Sequence, residues 1–422
     1  MRNRSLSKVL CILLAVVLAL GTGATFAAPK TVTLRFAIFG QQDIDYFQNK
    51  VDLAKAYQKV KPNVKIELEI LKDSAEFENA MKIRKAAGEL PEIMPLKPYM
   101  LANFADALAP LNNITAAKNN LFASKFAVNG NVLGIPLNSF NEFVYYKKSI
   151  FKEYNLSIPK TWDEFIETAK KIKAGGKYIP IALGAKDAWP DYPFNEFMPS
   201  LVANDGALWN KMATQDEPFT KDKPFYQAYA KIQKLFDAKV FGQDPLGIGF
   251  DQAKALFIAN KAGMICAGQW LLSQYQEGGG DMKDLGAFLL PVRDNAADTL
   301  NTIAMVDGFL ATPKDGKYLK EVKDFLNWFF SKSYYPGYIT STQLTSTVKG
   351  INSDVPFLKE AFSGVKVNFV VYDGGNASFQ KIVDAIKFDV KRMGQEMLAG
   401  KNLDEMMNEL NNKWKEARAS LK

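Results

Sequence analysis

From residue 31 onward the chain repeats one pattern: a short alternation of apolar and polar residues, then apolar residues at helical spacing. In residues 31–39, Val32, Leu34, Phe36 and Ile38 fall on one face and Thr31, Thr33 and Arg35 on the other. A period of two marks a half-buried strand. Residues 46–60 place Leu53, Ala54, Tyr57 and Val60 at helical spacing, and Lys61-Pro62-Asn63 stops the predicted helix, because proline disfavours helix at the residue before it. Residues 64–71 alternate again, with Val64, Ile66, Leu68 and Ile70 against Lys65, Glu67 and Glu69. Asp73 followed by Glu76 reads as an N-cap with its partner, Gly88 as the end of the helix that follows, and Glu92-Ile93-Met94 as the start of another strand. This β-α-β-α-β order predicts an α/β fold whose sheet is largely parallel, with helices on both faces.

The second half continues in the same way. Residues 143–146 read as a strand, Thr161 with Glu164 as a helix start, Gly175-Gly176 as its end, and residues 179–183 as the next strand. Trp162, Trp328 and Trp414 lie inside helical patterns and are expected to pack, and Cys266 in Met264-Ile265-Cys266-Ala267 reads as a small buried hydrophobe. No repeat, Ser/Pro linker or long like-charge block separates the halves, so a two-lobed chain must cross between lobes inside ordered structure.

The N-terminus follows different rules. Arg2, Arg4 and Lys8 precede an unbroken apolar run over residues 9–20, and small residues lead to Ala27. That order is a secretory signal, residues 1–27, with cleavage expected after Ala27. Cys11 sits near the start of the apolar run rather than at its end, so a lipid anchor is not expected. Processing removes three basic residues and no acidic one, taking the formal charge from +8 to +5, and leaves one cysteine, which cannot form an internal disulfide. The later basic residues are interleaved with acidic ones, and no Lys/Arg block carries aromatics, so nucleic acid is not a predicted partner. The chain has no histidine, which removes Ser-His-Asp and Cys-His catalysis and His-ligated metal sites.

Several fragments occur in one order: Tyr57-Gln58-Lys59-Val60-Lys61-Pro62-Asn63-Val64, Ala87-Gly88-Glu89-Leu90-Pro91, Leu108-Ala109-Pro110-Leu111, Gly134-Ile135-Pro136-Leu137, Val144-Tyr145-Tyr146-Lys147, Pro159-Lys160-Thr161-Trp162-Asp163-Glu164, and residues 257–264 leading to Gly268-Gln269-Trp270. Together they resemble the extracellular solute-binding proteins of ABC importers, the maltose-binding, multiple-sugar branch. Tyr146 stands where that family usually has Asn, and Asn260 where it usually has Gly. The resemblance implies a two-lobed periplasmic-binding-protein fold with a ligand cleft and three hinge crossings. The expected lobes are residues 28–138 plus 303–350 and residues 139–302 plus 351–422. It further implies a monomer without cofactor or metal, located in the periplasm, that carries a carbohydrate to membrane permease subunits.

Sugars present apolar CH faces and polar hydroxyl rims, which aromatic platforms and carboxylate or amide groups match. Trp270 falls where the family places a stacking tryptophan. Trp189 and Asp187 follow the strand at 179–183, and Gln41, Gln42 and Asp43 follow the first strand, at the strand ends where open α/β sheets bind ligands. Lys97 and Tyr99 follow the third strand. Ser139, Phe140 and Asn141 lie beside the first expected hinge, Asp307-Gly308 lies where the chain returns to the first lobe, and Tyr372 precedes Asp373-Gly374-Gly375. A secreted carbohydrate-active enzyme using paired carboxylates stays open on these residues. So does a carrier of an anionic solute, which the residual positive charge slightly favours.

Overall fold

The computed structural model describes residues 31–71, 73–353 and 355–421; the expected signal at 1–27 lies outside them. The first strand, β1 (Val32–Ile38), buries Leu34, Phe36 and Ile38 and pairs in parallel with β2 (Val64–Ile70), from Val32 opposite Val64 to Ile38 opposite Ile70. The helix Ser74–Ala87 follows. Its cap Asp73 accepts from the Glu76 N–H, and Gly88, at φ 72°, ends it in the left-handed conformation glycine tolerates best. Ile93 then forms a parallel bridge to Phe36.

The single helix expected over 46–60 is broken. Residues Asp45–Lys50 form a π-helical turn, Asp52 has φ 50°, and an α-helix restarts over Leu53–Gln58 with Asp52 accepting from the Lys55 N–H. The wider turn carries both Tyr46 and Phe47 inward. Phe47 stacks on Tyr338 with ring centroids 5.7 Å apart, and Tyr46 meets the same ring edge-on at 5.3 Å.

The sheet departs more from expectation. The remaining strands are β3 (Met94–Leu96), β4 (Ile135–Lys147), β5 (Ile179–Ala182), β6 (Ala262–Gly268), β7 (Leu285–Phe288), β8 (Leu300–Ala311) and β9 (Val367–Tyr372). Seven strands join in the order β3-β8-β4-β6-β5, with β7 on β4 and β9 on β8. Only β5–β6 and β8–β9 are parallel there, so this sheet is mixed rather than largely parallel. The cause is the length of β4 and β8. One strand carries the chain out of the first lobe and the other brings it back, so they lie side by side in opposite directions. The strand expected at 143–146 is the end of the 13-residue β4, whose first part is interrupted by Asn138, Ser139, Asn141 and Glu142 and so lacks a clean apolar period.

Two lobes result, each with its own packed interior. Leu34, Phe36, Phe47, Tyr57, Phe325 and Tyr338 centre one, extended by Phe77, Met81, Leu96 and Phe309. Trp162, Phe165, Phe225, Tyr229, Phe257 and Trp414 centre the other. Trp162 and Trp414 are buried as expected, Trp328 packs on Tyr57 and Tyr334, and Cys266 is a free, buried thiol. Ile135–Asn141 of β4 pair with β8, whereas Glu142–Tyr146 pair with β6. Phe140 and Trp270 pack against both interiors.

Candidate functional site between the lobes

The first lobe presents a polar wall at its strand ends. Asp43, just beyond β1, accepts a 2.9 Å hydrogen bond from the Tyr338 hydroxyl, which in turn accepts from the Asn138 amide at 3.0 Å. Lys97, just beyond β3, holds Asp307 of β8 at 2.6 Å, and its ammonium stands 5.1 Å from the centre of the Phe39 ring. The other carboxylate oxygen of Asp307 is buried without a hydrogen-bond partner. Burial pushes the Asp43 carboxyl up to about 7; Tyr338 and Lys97 oppose this and the Asp307 carboxylate adds to it. Gly308 follows at φ 63°, where an added Cβ would meet the Leu137 side chain at 3.2 Å. Tyr99 is partly buried, and burial together with the carboxylates of Glu78, Glu196 and Asp307 holds its hydroxyl well above the usual tyrosine range.

The second lobe presents an aromatic wall. Trp270, in the turn after β6, lies 5.9 Å from Trp189 and 5.4 Å from Phe250, and Trp189 lies 4.6 Å from Phe250. Both tryptophans are only partly buried. The Trp270 indole folds back over Gly268: a Cβ there would come within 2.3 Å of its Nε1, so a side chain at 268 would displace the ring. Asp187 does not stand free. Its Oδ2 accepts the Phe250 N–H at 2.7 Å, fastening the Trp189 loop to the start of the helix Phe250–Ile258.

Behind the tryptophans lies a group that local sequence does not reveal. Glu142 is buried where β4 passes from one lobe to the other, and the Tyr192 hydroxyl lies 2.8 Å from each of its oxygens while accepting the Gly268 N–H at 2.9 Å. Burial raises the Glu142 carboxyl to about 8; Tyr192 opposes this and Glu196 adds to it. Tyr372, also buried, donates to Glu196 at 2.9 Å, and a Cβ added at Gly374, at φ 75°, would meet the Tyr99 ring at 3.4 Å. Burial opposes the charge of Lys391, but Glu196 and then Glu78 outweigh it, so its pKa is raised.

The structure thus gathers Asp43, Lys97, Tyr99 and Asp307 on the first lobe and Trp189, Trp270, Asp187 and Tyr372 on the second. Gln41 is exposed and bonds Asp45, and Gln42 lies in the same short helix, Gln41–Ile44. Ser139 exchanges backbone bonds with Thr345, and Asn141 donates to the Ile303 carbonyl at 2.7 Å, so both brace the crossing strands. Sequence reasoning missed Glu78, Glu142, Tyr192, Glu196, Phe250 and Lys391. A polar break inside apolar β4 was a signal for Glu142; the rest are brought in by tertiary contacts. The lobes also touch beside the aromatic wall, where the Gln269 amide donates to the Gln343 carbonyl at 2.5 Å and Lys50 pairs with Glu277 at 2.7 Å. Two open surface depressions, at Asp163, Lys170 and Lys234 and at Asn113, Lys320 and Asp324, share no residue with this set. Among the described residues no cluster of three or more metal-binding side chains occurs.

Comparison with known proteins agrees with this architecture. The multiple sugar-binding protein of Streptococcus mutans is 24% identical over 343 residues, 76% of this chain and 80% of its own length. The sn-glycerol-3-phosphate-binding periplasmic protein UgpB of Agrobacterium fabrum is 29% identical over 140 residues, 32% of this chain and 31% of its own. Among solved structures, RafE in complex with raffinose overlays with a TM-score of 0.76 at 20% identity, covering 92% of this chain and all of its own. The apo form of RafE from Streptococcus pneumoniae overlays at 0.66 and 19% identity, over 93% and all of its own length. The family model for bacterial extracellular solute-binding proteins matches residues 42–336. With two lobes and a matching family model over most of its length, the chain belongs to the bacterial extracellular solute-binding proteins.

Proposed function

We propose that the protein binds an oligosaccharide between its lobes and delivers it to the membrane subunits of an ABC importer. The observation that carries this reading is the presence of partly exposed Trp189 and Trp270 on one lobe and the carboxyls of Asp43 and Asp307 on the other. Flat apolar rings suit sugar faces, and buried acceptors suit hydroxyl rims. The multiple sugar-binding relative and the raffinose-bound neighbour support it. In this reading Trp270 and Trp189 are stacking platforms, and Asp43, Lys97, Tyr99, Asp307 and Tyr372 are polar contacts, with Gln41, Gln42, Asp187, Ser139, Asn141 and Gly308 at their margins.

The lobes divide at 28–138 plus 303–350 and 139–302 plus 351–422. Leu137 and Val306 pack in the first interior and Phe143, Ile303 and Met305 in the second, which supports a crossing in β4 and one in β8 between Met305 and Val306, a few residues beyond 302; the third crossing follows Ile351. The higher overlay score with raffinose-bound than with apo RafE, and the Lys50–Glu277 contact, support a closed arrangement here. Export through a cleaved signal ending at Ala27, without a lipid anchor, places the monomer in the periplasm, and it acts as a carrier rather than an enzyme.

Thermal-shift measurement on mature protein against a carbohydrate panel tests this. A ligand at 100-fold over its dissociation constant adds about 2.7 kcal/mol of stability. A shift with amino acids or polyamines and none with any saccharide refutes the reading, and hydrolysis of the bound saccharide refutes the carrier role.

A further inference from the structure

Trp189 stands on a loop that is held from two sides. Its backbone donors go one way: the Ala185 N–H to the Pro245 carbonyl at 2.8 Å and the Lys186 N–H to the Ile248 carbonyl at 3.1 Å, beside the bond from the Phe250 N–H to Asp187. Its carbonyls go the other way. Gln395, in the helix Val390–Leu398 and 210 residues from Ala185, donates from Nε2 to the Ala185 carbonyl at 2.7 Å and to the Lys186 carbonyl at 3.3 Å. The Ala185 carbonyl also accepts the Ala188 N–H at 3.1 Å, which closes the turn leading into Trp189. Ala188 has φ 62° and ψ −46° there. Residues with a side chain rarely adopt that conformation, and it persists only where surrounding contacts impose it.

The same helix meets the far end of the loop through Gly394. A Cβ at that position would come within 1.8 Å of the Asp191 carboxyl and 1.9 Å of the Asn195 amide. Both of those side chains are fully buried, so neither can swing out of the way. Glycine inside a helix is less stable than alanine, and the close approach accounts for its presence here. Gly394 and Gln395 are adjacent, so one turn of one helix grips both ends of residues 185–195. Trp189 lies between those ends and is only partly buried against Phe250 and Trp270. Apolar contacts are non-directional, so the backbone on either side decides where the ring stands.

We infer that Gly394 and Gln395 are positioning residues for Trp189: they hold its loop in the strained turn and so set how well the ring meets a ligand that they do not touch. The effect on a ligand rests on the oligosaccharide reading; the hold on the ring does not.

The test is fluorine NMR of mature protein carrying fluorotryptophan, whose six resonances are assigned by single replacements with Phe. Gln395→Met keeps the length of the side chain and loses the donor. In it the Trp189 resonance should shift or broaden, and that of Trp414, in the interior of the same lobe, should stay. Calorimetric affinity for whichever of raffinose, stachyose and mannotriose binds should fall about three- to tenfold. Adding Ala188→Gly, which takes the strain out of the turn, should restore most of that loss, as it would not if Gln395 merely supported the lobe. In a Trp189→Ala background Gln395→Met should cost no further affinity. Gly394→Ala should move the Trp189 resonance further; Gln395→Met decides alone if that variant does not fold. An unmoved Trp189 resonance in Gln395→Met would overturn the inference and leave the oligosaccharide reading standing. An affinity loss of equal size with and without Trp189 would overturn it too, because Gln395 would then act by another route. If none of the saccharides binds, the oligosaccharide reading loses its support; a moved resonance then still supports the positioning role, and an unmoved one overturns it.

Discussion

The two walls of the interlobe site are built by different means. On the first lobe, Asp43 and Lys97 follow β1 and β3 and Asp307 lies within β8; Lys97 pairs with Asp307, and Asp43 accepts from Tyr338. On the second lobe, Trp189, Phe250 and Trp270 come from three separate segments and are held by ring contacts, by Asp187 fastening one loop to another, and by the Glu142–Tyr192–Gly268 chain beneath them. The polar wall is held by one ion pair and one hydrogen-bond chain and so depends on each partner. The aromatic wall has interchangeable apolar contacts and depends on backbone placement. Loss of one group should therefore destabilise the first wall and blunt binding at the second.

Removing Lys97 should have the largest effect. Lys97→Met leaves Asp307 nearly buried beside Asp43 with no cation between them, a loss of about 3 kcal/mol in urea unfolding. Replacing both members as Lys97→Met/Asp307→Leu should recover most of it, and a double variant as unstable as the single one would show that the wall is not held by that ion pair.

Trp270→Ala addresses the other wall. Affinity for the bound sugar should fall ten- to a hundredfold, or about 1.4–2.7 kcal/mol. Its melting temperature should drop far less than that of Trp414→Ala, where a fully buried ring is lost at about 3–5 kcal/mol. A Trp270→Ala protein that melts early but binds normally when folded would make Trp270 a packing residue shared by the two lobes.

A pH series separates the walls further. Burial keeps Glu142 protonated in the folded chain up to about pH 8, whereas the unfolded chain releases that proton near pH 4. The folded state holds the extra proton between those values, so this contribution is full at low pH and is lost as pH rises toward 8. Glu142→Gln should match the wild type near pH 4 and be more stable by about 1–2 kcal/mol at pH 8. Equal stability at both pH values would mean that Glu142 is ionised and well accommodated.

The smallest effect is expected at the rim. Lys50→Gln removes an exposed cross-lobe ion pair, for about 0.2–1 kcal/mol. It should speed ligand release by at most about fivefold, and the difference should vanish in 1 M salt.

These tests also bear on what the chain discloses locally. The alternation of β1 and β2, the Asp73 and Thr161 caps and the Gly88 stop were legible because each depends on neighbours a few residues away. Part of the polar wall was legible as well, since strand ends can be located once strands are found, and Asp43 and Lys97 follow β1 and β3, whereas Asp307 lies within β8. Asp187 was legible as a position but not as a role, because its partner, the Phe250 N–H, is 63 residues away. Glu196 and Lys391 were not legible at all, since nothing local tells a buried charge that meets a partner from one that faces water.

The sequence by itself determined β1, β2 and the Ser74–Ala87 helix of the first lobe, the signal pattern at the N-terminus, the absence of histidine chemistry and the order of fragments that marks the family. These depend on side-chain period, local capping and composition. Only the tertiary structure decided that the large sheet is mixed, that residues 46–60 break around Asp52 to send Tyr46 and Phe47 inward, and that Glu142 shares its carboxyl with Tyr192 beneath Trp270. Each of these joins residues tens to hundreds of positions apart. Strand direction, burial and the balance of charge in a shared space are set by which segments meet, and no local pattern along the chain records that.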